Sequence, residues 1–195
     1  MDNEIKETEI TPCIPAQAYL DHNYPKNGTY ISKQGLESSL DLSDFTNLEE
    51  LSNQLTTLDL SNLEQLESLY CSDNCLTQMP YIPNPEQLVS LTISNNNFPS
   101  QDLSIFSQFR NLEWLEIGKD EREMIKQGIY NRFTFAGSLK SLKNLTKLKG
   151  LNISNTDINS GVEYLPDSLE RIYYNTNDRS TCKLGEYKGQ IDKYF

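Results

Sequence analysis

The chain has few of the residues that catalytic and metal sites require. Its 195 residues include one histidine, His22, and four cysteines without regular spacing, which are Cys13, Cys71, Cys75 and Cys182. No phosphate-binding glycine loop, nucleophile elbow or kinase catalytic string occurs. We therefore expect a protein that is not an enzyme and that uses no metal and no cofactor.

Long apolar segments and excess positive charge are also missing. No stretch approaches the 18 consecutive apolar residues of a membrane helix, and the first 17 residues carry charge where a signal peptide would be apolar. Lys and Arg number 17 against 28 Asp and Glu, a formal net charge of −11 that disfavours phosphate backbones and anionic lipid. These features predict a cytoplasmic protein with reduced thiols and with neither nucleic acid nor membrane as a partner. The oligomeric state stays open.

An eleven-residue frame recurs along the chain. It reads LxxLxCxxNxL from Leu66 and returns from Leu88, Leu112, Leu148 and Leu169, at steps of 22, 24, 36 and 21 residues. The step of 36 is one repeat with an insertion of about a dozen residues. This is the frame of leucine-rich repeats, whose units are stable only when they stack on their neighbours.

The frame predicts an α/β leucine-rich repeat solenoid. We expect a curved molecule with a parallel β-sheet on the concave face and an irregular or short helical convex side. Residues 1–35 are assigned to an N-terminal tail and capping helix, 36–177 to repeats with an insertion at about 120–137, and 178–195 to a C-terminal cap or tail. Helices are expected over Pro15–Asn23 and after the N-cap pattern of Asp120 and Glu123. A C-terminal apolar stripe is formed by Leu184, Tyr187, Ile191 and Tyr194.

Two further regularities concern the ends of the predicted strands. The unit at Leu48–Leu55 lacks about three strand residues, so we expect it to be the weakest part of the stack. At the turn after each strand an asparagine recurs, where its amide can satisfy backbone groups. The residues at this position are Asn53, Asn74, Asn96 and Asn177, with Asp120 and Thr156 as substitutes.

Several strings extend beyond the frame itself. Among them are LDLSDFTNLEEL, LYCSDNCLT, FRNLEWLEIGKDEREMIKQGIYNRF and SLKNLTKLKGLNISNTDINSGVEYLPDSLE. They resemble the leucine-rich arrays of an expanded fungal family, over roughly residues 15–177, and in that family such arrays often accompany protein kinase domains. The resemblance implies an interaction array without activity of its own. The chain departs from the pattern in the shortened strand near Leu51, in having no kinase domain and in its C-terminal tail.

Alternation along each strand directs the frame leucines inward and their neighbours outward. Most outward positions hold small polar residues, among which the single tryptophan lies beside a glutamate. Trp, Tyr and Arg dominate interface energetics, so the candidate partner-binding residues are Trp114, Tyr70, Tyr173, Glu116 and Arg171. The alternative for Trp114 is local packing under the insertion helix or under Arg110.

Charge is distributed unevenly. Residues 119–149 hold eight basic and three acidic side chains, whereas residues 1–118 hold four basic and eighteen acidic ones. This asymmetry could serve to orient an acidic partner or to let arrays associate with one another. The alternative is that the basic segment is a solvated convex face whose lysines keep the protein soluble.

The predicted function is a non-catalytic protein–protein interaction module that binds a protein partner of unknown identity on its concave face. The alternative is a regulatory or vestigial array of a kinase-type protein, acting only with a kinase supplied in trans or lost from the chain.

Overall fold

The computed structural model describes residues 30–41, 50–119, 135–175 and 184–191. The strands within them are β1 (Tyr30–Asp41), β2 (Glu50–Asp59), β3 (Ser68–Tyr70), β4 (Ser90–Thr92), β5 (Trp114–Glu116), β6 (Ala136–Ser138), β7 (Gly150–Asn152), β8 (Asp157–Ser160) and β9 (Arg171–Tyr173). Short 3-10 helices lie at Pro85–Gln87, Leu103–Gln108, Leu139–Leu142, Val162–Tyr164 and Leu184–Tyr187, and one α-helical turn lies at Lys188–Ile191. None of these helices is long and apolar enough to span a bilayer.

Seven strands form one parallel sheet in the order β1-β2-β3-β4-β5-β7-β9. From β3 to β9 the second leucine of each frame pairs with its equivalent in the next repeat, through Leu69, Leu91, Leu115, Leu151 and Ile172. The predicted frame and its register are therefore confirmed for these five units. A second, two-stranded parallel sheet of β6 and β8 lies outside this order and was not predicted from the sequence.

The frame residues form the core. Leu69, Leu91, Leu115, Leu151 and Ile172 are each at most 1% exposed, and their neighbours on the same strands are half-buried or exposed in all but one case. The predicted alternation is thus confirmed, and the parallel sheet with short 3-10 helices on its other side fits an α/β leucine-rich repeat architecture.

Backbone hydrogen bonds repeat from unit to unit. The carbonyl of Glu67 accepts from the N–H groups of both Val89 and Ser90, at 2.7 and 3.1 Å. The same shared carbonyl recurs one unit later and again on both sides of the insertion, at Val89, Glu113 and Lys149. The insertion therefore leaves the stacking register unchanged.

The turn asparagines bind backbone groups as expected. Asn96 donates from Nδ2 to the carbonyls of Cys71, Ile93 and Ser94, at 2.9 to 3.3 Å, and its Oδ1 accepts from the N–H of Leu76 at 3.0 Å. Asn74 makes the equivalent bonds, including one from the N–H of Leu55 in the preceding unit. Each amide thus ties its own turn to the neighbouring unit. Thr156 substitutes with one donation to the Ile153 carbonyl at 2.8 Å, while Asn177 and Asp120 lie outside the described residues.

The residue before the turn position adopts a left-handed backbone. Asp73, Asn95 and Asn155 have φ angles of 58°, 53° and 55°, a conformation that Asn and Asp tolerate better than other side chains do. Asn95 donates to the Asp73 carboxylate at 2.8 Å, and Asn155 donates to the Lys119 carbonyl at 2.7 Å. These side chains form a second set of bonds between units.

The N-terminal unit differs from the expected short strand. β2 is ten residues long and pairs with β1 through two register shifts, whereas it pairs with β3 only between Glu50 and Tyr70. β1 begins at Tyr30, within the range assigned to the tail and cap. The expected capping helix at Pro15–Asn23 and the expected insertion helix lie outside the described residues.

At the C-terminal end the predicted apolar stripe packs against the core. Leu184 and Ile191 are buried there, and Tyr187 is partly buried against the same cluster. Tyr194, the fourth member of the stripe, lies outside the described residues.

Candidate protein-interaction face

The side of the seven-stranded sheet that points away from the core is named here the open face. Three rows of positions follow one another along it, two within the strands and a third just after the strands end. The rows are Ser68, Ser90, Trp114, Gly150 and Arg171; Tyr70, Thr92, Glu116, Asn152 and Tyr173; and Ser72, Ser94, Gly118, Ser154 and Asn175. All five predicted partner-binding residues lie in the first two rows.

Trp114 is half-buried on the open face, outside the interlayer core. Its indole leans across β7, and the centroids of its ring and that of Tyr173 on β9 are 6.2 Å apart at an angle of 55°. Tilted ring pairs at this separation are favourable. The structure therefore brings two of the predicted residues into contact across two strand spacings.

Gly150 provides the place where the indole rests. A Cβ atom built on Gly150 would lie 2.0 Å from both Cε3 and Cζ3 of Trp114, so the six-membered ring occupies the volume that any larger residue would fill. Sequence reasoning missed this role of Gly150. The signal was available, since Gly150 is the only glycine in the row that contains Trp114.

Glu116 lies two residues after Trp114 and is half-buried. Its Oε1 accepts a hydrogen bond at 3.2 Å from the Oγ of Ser94, two residues after the end of the neighbouring strand β4. Toward β9, the next residue of the same row is Asn152, whose Oδ1 accepts from the Ser154 N–H at 3.1 Å. The carboxylate is thus held in place on the face by a neutral donor.

Tyr70 and Arg171 lie on opposite sides of the Trp114 strand. Tyr70 is 37% exposed on β3, two strands from Glu116, which corresponds to about 10 Å between backbones. Arg171 is exposed on β9, at the edge of the sheet order, two residues before Tyr173. The structure groups Trp114 with Tyr173 and Glu116, and it places Tyr70 and Arg171 farther out on the same face.

The rival interpretation of Trp114 was local packing. Arg110 points instead to Glu86 in the preceding repeat, with Nε and Oε1 3.9 Å apart. The insertion helix lies outside the described residues. Among the described residues, the indole packs against Gly150 and Tyr173, and the Trp114 side chain is half-buried.

The described cysteines and acids do not make a reactive cluster. Burial raises the pKa of the Cys71 thiol to about 12, so it stays protonated at neutral pH, and Cys75 is half-buried. Within the described ranges no three His, Cys, Asp or Glu side chains are arranged to hold a metal ion.

Two of the lysines within residues 135–149 contact side chains of other residues. Lys149 Nζ lies 2.7 Å from Glu113 Oε2, and the hydrogen bond to that carboxylate raises the pKa of the lysine. Lys140 Nζ lies 5.4 Å from the ring centroid of Tyr164. Lys143 and Lys147 are exposed on the loops that precede β7, away from the open face.

Comparison with known proteins gives distant likeness in structure only. No protein-family model matches the chain, and no curated protein matches it. Among solved structures, an internalin from Listeria monocytogenes aligns over 76% of this chain with 21% identity and a TM-score of 0.43. The chain spans about half, 51%, of that internalin chain. The fold description therefore rests on the repeated frame, the parallel register and the turn asparagines.

Proposed function

We propose that the chain is a non-catalytic interaction module, a leucine-rich repeat solenoid that binds a protein partner across its open face. In such a solenoid the open face is the concave one. The observation that carries the proposal is the half-buried Trp114, held against Gly150 and Tyr173 on a face where most other residues are small and polar. Aromatic side chains of this kind supply much of the energy of protein interfaces.

The backbone network favours this use of the face. Shared carbonyls fix each strand against the next, and the amides of Asn74 and Asn96 fix the turns that follow. A surface ordered before binding loses less conformational entropy when the partner arrives. The contact of Trp114 with Tyr173 likewise restricts the conformations of the indole before a partner binds, so less side-chain entropy is lost on binding.

The proposal includes a cytoplasmic location and no enzymatic activity. Cys71 is a buried free thiol, which agrees with a reducing compartment. The high pKa of Cys71 disfavours its use as a nucleophile.

A second candidate is a regulatory or vestigial array of a kinase-type protein. The resemblance to fungal kinase-linked arrays favours it, as does the irregular N-terminal unit, where β1 and β2 pair through two register shifts. Its test is the transcript beyond the codon for Phe195. Continuation into a kinase domain would support this candidate.

The experiment for the first candidate compares two double variants of the tagged chain in affinity capture from native cytosol. Trp114→Ala with Tyr70→Ala removes both aromatic side chains from the strands β5 and β3. The matched control, Lys143→Ala with Lys147→Ala, changes exposed side chains off the open face. Urea unfolding of each variant shows that the fold is retained.

We expect the aromatic double variant to lose a partner that the wild-type chain and the lysine variant both capture. Capture of the same partner by all three chains, or its loss from both variants, would show that the open face is not the binding surface.

A further inference from the structure

We propose that the open face binds an aspartate or glutamate side chain of its protein partner at Arg171, beside the contact of Trp114 with Tyr173. The inference rests on the proposed function and specifies the chemistry of the partner segment. Among the positions of the three rows, Arg171 is the only basic residue and Glu116 is the only acidic one. The charged groups of the face are therefore one cation on β9 and one anion on β5.

The missing side chain at Gly150 brings the indole next to Arg171. Gly150 pairs with Trp114 on one side and with Arg171 on the other. The six-membered ring of Trp114 lies over Gly150, so the space that the ring occupies is about one strand spacing, or about 5 Å, from the backbone of Arg171. Arg171 is therefore bordered by an apolar ring on its β7 side.

Tyr173 borders Arg171 along the strand. The two residues are two positions apart on β9 and face the same side, with the buried Ile172 between them, so their Cα atoms are about 7 Å apart. Tyr173 is 45% exposed, and its ring is the one in contact with Trp114. A carboxylate accepts several hydrogen bonds, and a guanidinium fork and a phenol hydroxyl both donate them.

Arg171 is exposed, and within the described ranges no carboxylate forms an ion pair with it. Its acidic neighbour Glu170 belongs to the row of Lys149 and Glu113, just before the strands begin, where the Glu170 N–H donates to the Lys149 carbonyl at 2.9 Å. Glu116 lies two strand spacings from β9, about 10 Å away and too far for an ion pair. A partner carboxylate therefore does not have to displace one of these acids from the guanidinium.

The charge of the described chain changes sign along the sheet. Residues 50–119 hold nine acidic and two basic side chains, whereas residues 135–175 hold four acidic and five basic ones. Charges more than about 8 Å apart are largely screened at physiological ionic strength, so the acids before β5 oppose a carboxylate at β9 only weakly. A carboxylate near Glu116 is repelled directly. The acidic group of a bound segment is therefore directed to the β9 end of the face.

The test uses the full chain and three peptides, acetyl-Gly-Leu-Z-Leu-Gly-amide, in which Z is Glu, Gln or Lys. Both peptide ends are blocked, so the Glu side chain is the only carboxylate, and the leucines offer apolar contact to the indole. Trp114 is the only tryptophan, so the chain gives a single indole N–H signal in a proton–nitrogen correlation spectrum, and the shift of this signal measures affinity. We expect the Glu peptide to bind about fivefold more tightly than the Gln peptide, and the Lys peptide to bind most weakly.

Two variants separate Arg171 from general attraction between charges. Arg171→Gln removes the charge at an exposed position, so the urea midpoint is unchanged and the affinity for the Glu peptide falls about fivefold, to that for the Gln peptide. Lys147→Gln removes the same charge from an exposed loop position off the open face. Its affinity for the Glu peptide stays within about twofold of the wild type.

Equal affinities of the Glu and Gln peptides for the wild-type chain, equal losses in the two variants, or an unshifted indole signal would each overturn the inference. If Arg171→Gln still captures in full a cytosolic partner whose capture requires Trp114 and Tyr70, the inference fails and the proposed function stands. If the partner is captured without Trp114 and Tyr70, the proposed function fails and the inference fails with it.

Discussion

Asn96→Ala is expected to destabilise the fold by about 2 to 6 kcal/mol. The substitution leaves the N–H of Leu76 without its acceptor in the interior, where an unpaired group costs about 1 to 3 kcal/mol. It also removes the two amide protons that Cys71, Ile93 and Ser94 share, each bond contributing about 0.5 to 1.5 kcal/mol. Because one of those bonds and the Leu76 contact reach the preceding repeat, the loss weakens the stacking of units as well as the turn.

The assay is urea unfolding, followed by Trp114 emission and by far-ultraviolet circular dichroism. Asn97→Ala is the matched control, since Asn97 is the half-buried neighbour in the same turn, and it is expected to change stability by less than about 0.5 kcal/mol. Thr156→Val keeps the volume and removes one donation, so we expect a loss of about 1 kcal/mol. A free energy of unfolding for Asn96→Ala that matches the Asn97→Ala control would refute the role assigned to the amide.

Three further outcomes follow from individual side chains. Gly150→Ala places a Cβ atom where the Trp114 ring lies, so the indole is displaced toward solvent. The emission maximum is therefore expected to move to longer wavelength and acrylamide quenching to increase. An unchanged spectrum would contradict the placement of the indole over Gly150. Cys71 is expected to resist iodoacetamide at about pH 8 until urea unfolds the chain, as peptide mass spectrometry can show, and rapid native-state labelling would contradict its burial. Hydrogen bonds with Ser104 lower the pKa of Asp102 below 3.8, so the stability that this cap contributes is present above that pH and is lost as pH falls through the lowered value. Asp102→Asn should therefore flatten the acid side of the plot of urea midpoint against pH, and an unchanged slope would show that the cap does not titrate in this way.

The repeated part of the fold was predictable from sequence because each unit carries the same pattern of inward-facing and outward-facing residues. The alternation of Leu115 between Trp114 and Glu116 determines which side chains face the core, and the same register recurs in every unit from β3 to β9. The interior position of Asn96 follows from the same frame. Where one pattern recurs five times, local propensity and stacking agree.

The unpredicted features depend on contacts that one unit does not contain. β6 has the sequence Ala-Gly-Ser, which has little intrinsic strand preference, and it forms a strand because β8 pairs with it. The placement of Trp114 over Gly150 joins residues 36 positions apart across the insertion. The long pairing of β1 with β2 likewise arises between segments whose leucine spacing departs from the frame.

For the candidate site, the sequence predicted which side of the sheet its residues occupy. It did not predict the contacts that their side chains make with one another. Strand alternation alone put all five candidate residues on one side of the sheet. The contact of Trp114 with Tyr173 depends on the direction in which the indole leans, and that direction is determined by the missing side chain at Gly150.

The accessibility of Trp114 in the bound chain tests the central claim most directly. Acrylamide quenching of this single tryptophan is compared between the free chain and its complex with the captured and purified partner. The account predicts a quenching constant that falls on complex formation, because the partner covers the indole on the open face. An unchanged quenching constant in a saturated complex would place the binding surface elsewhere on the molecule.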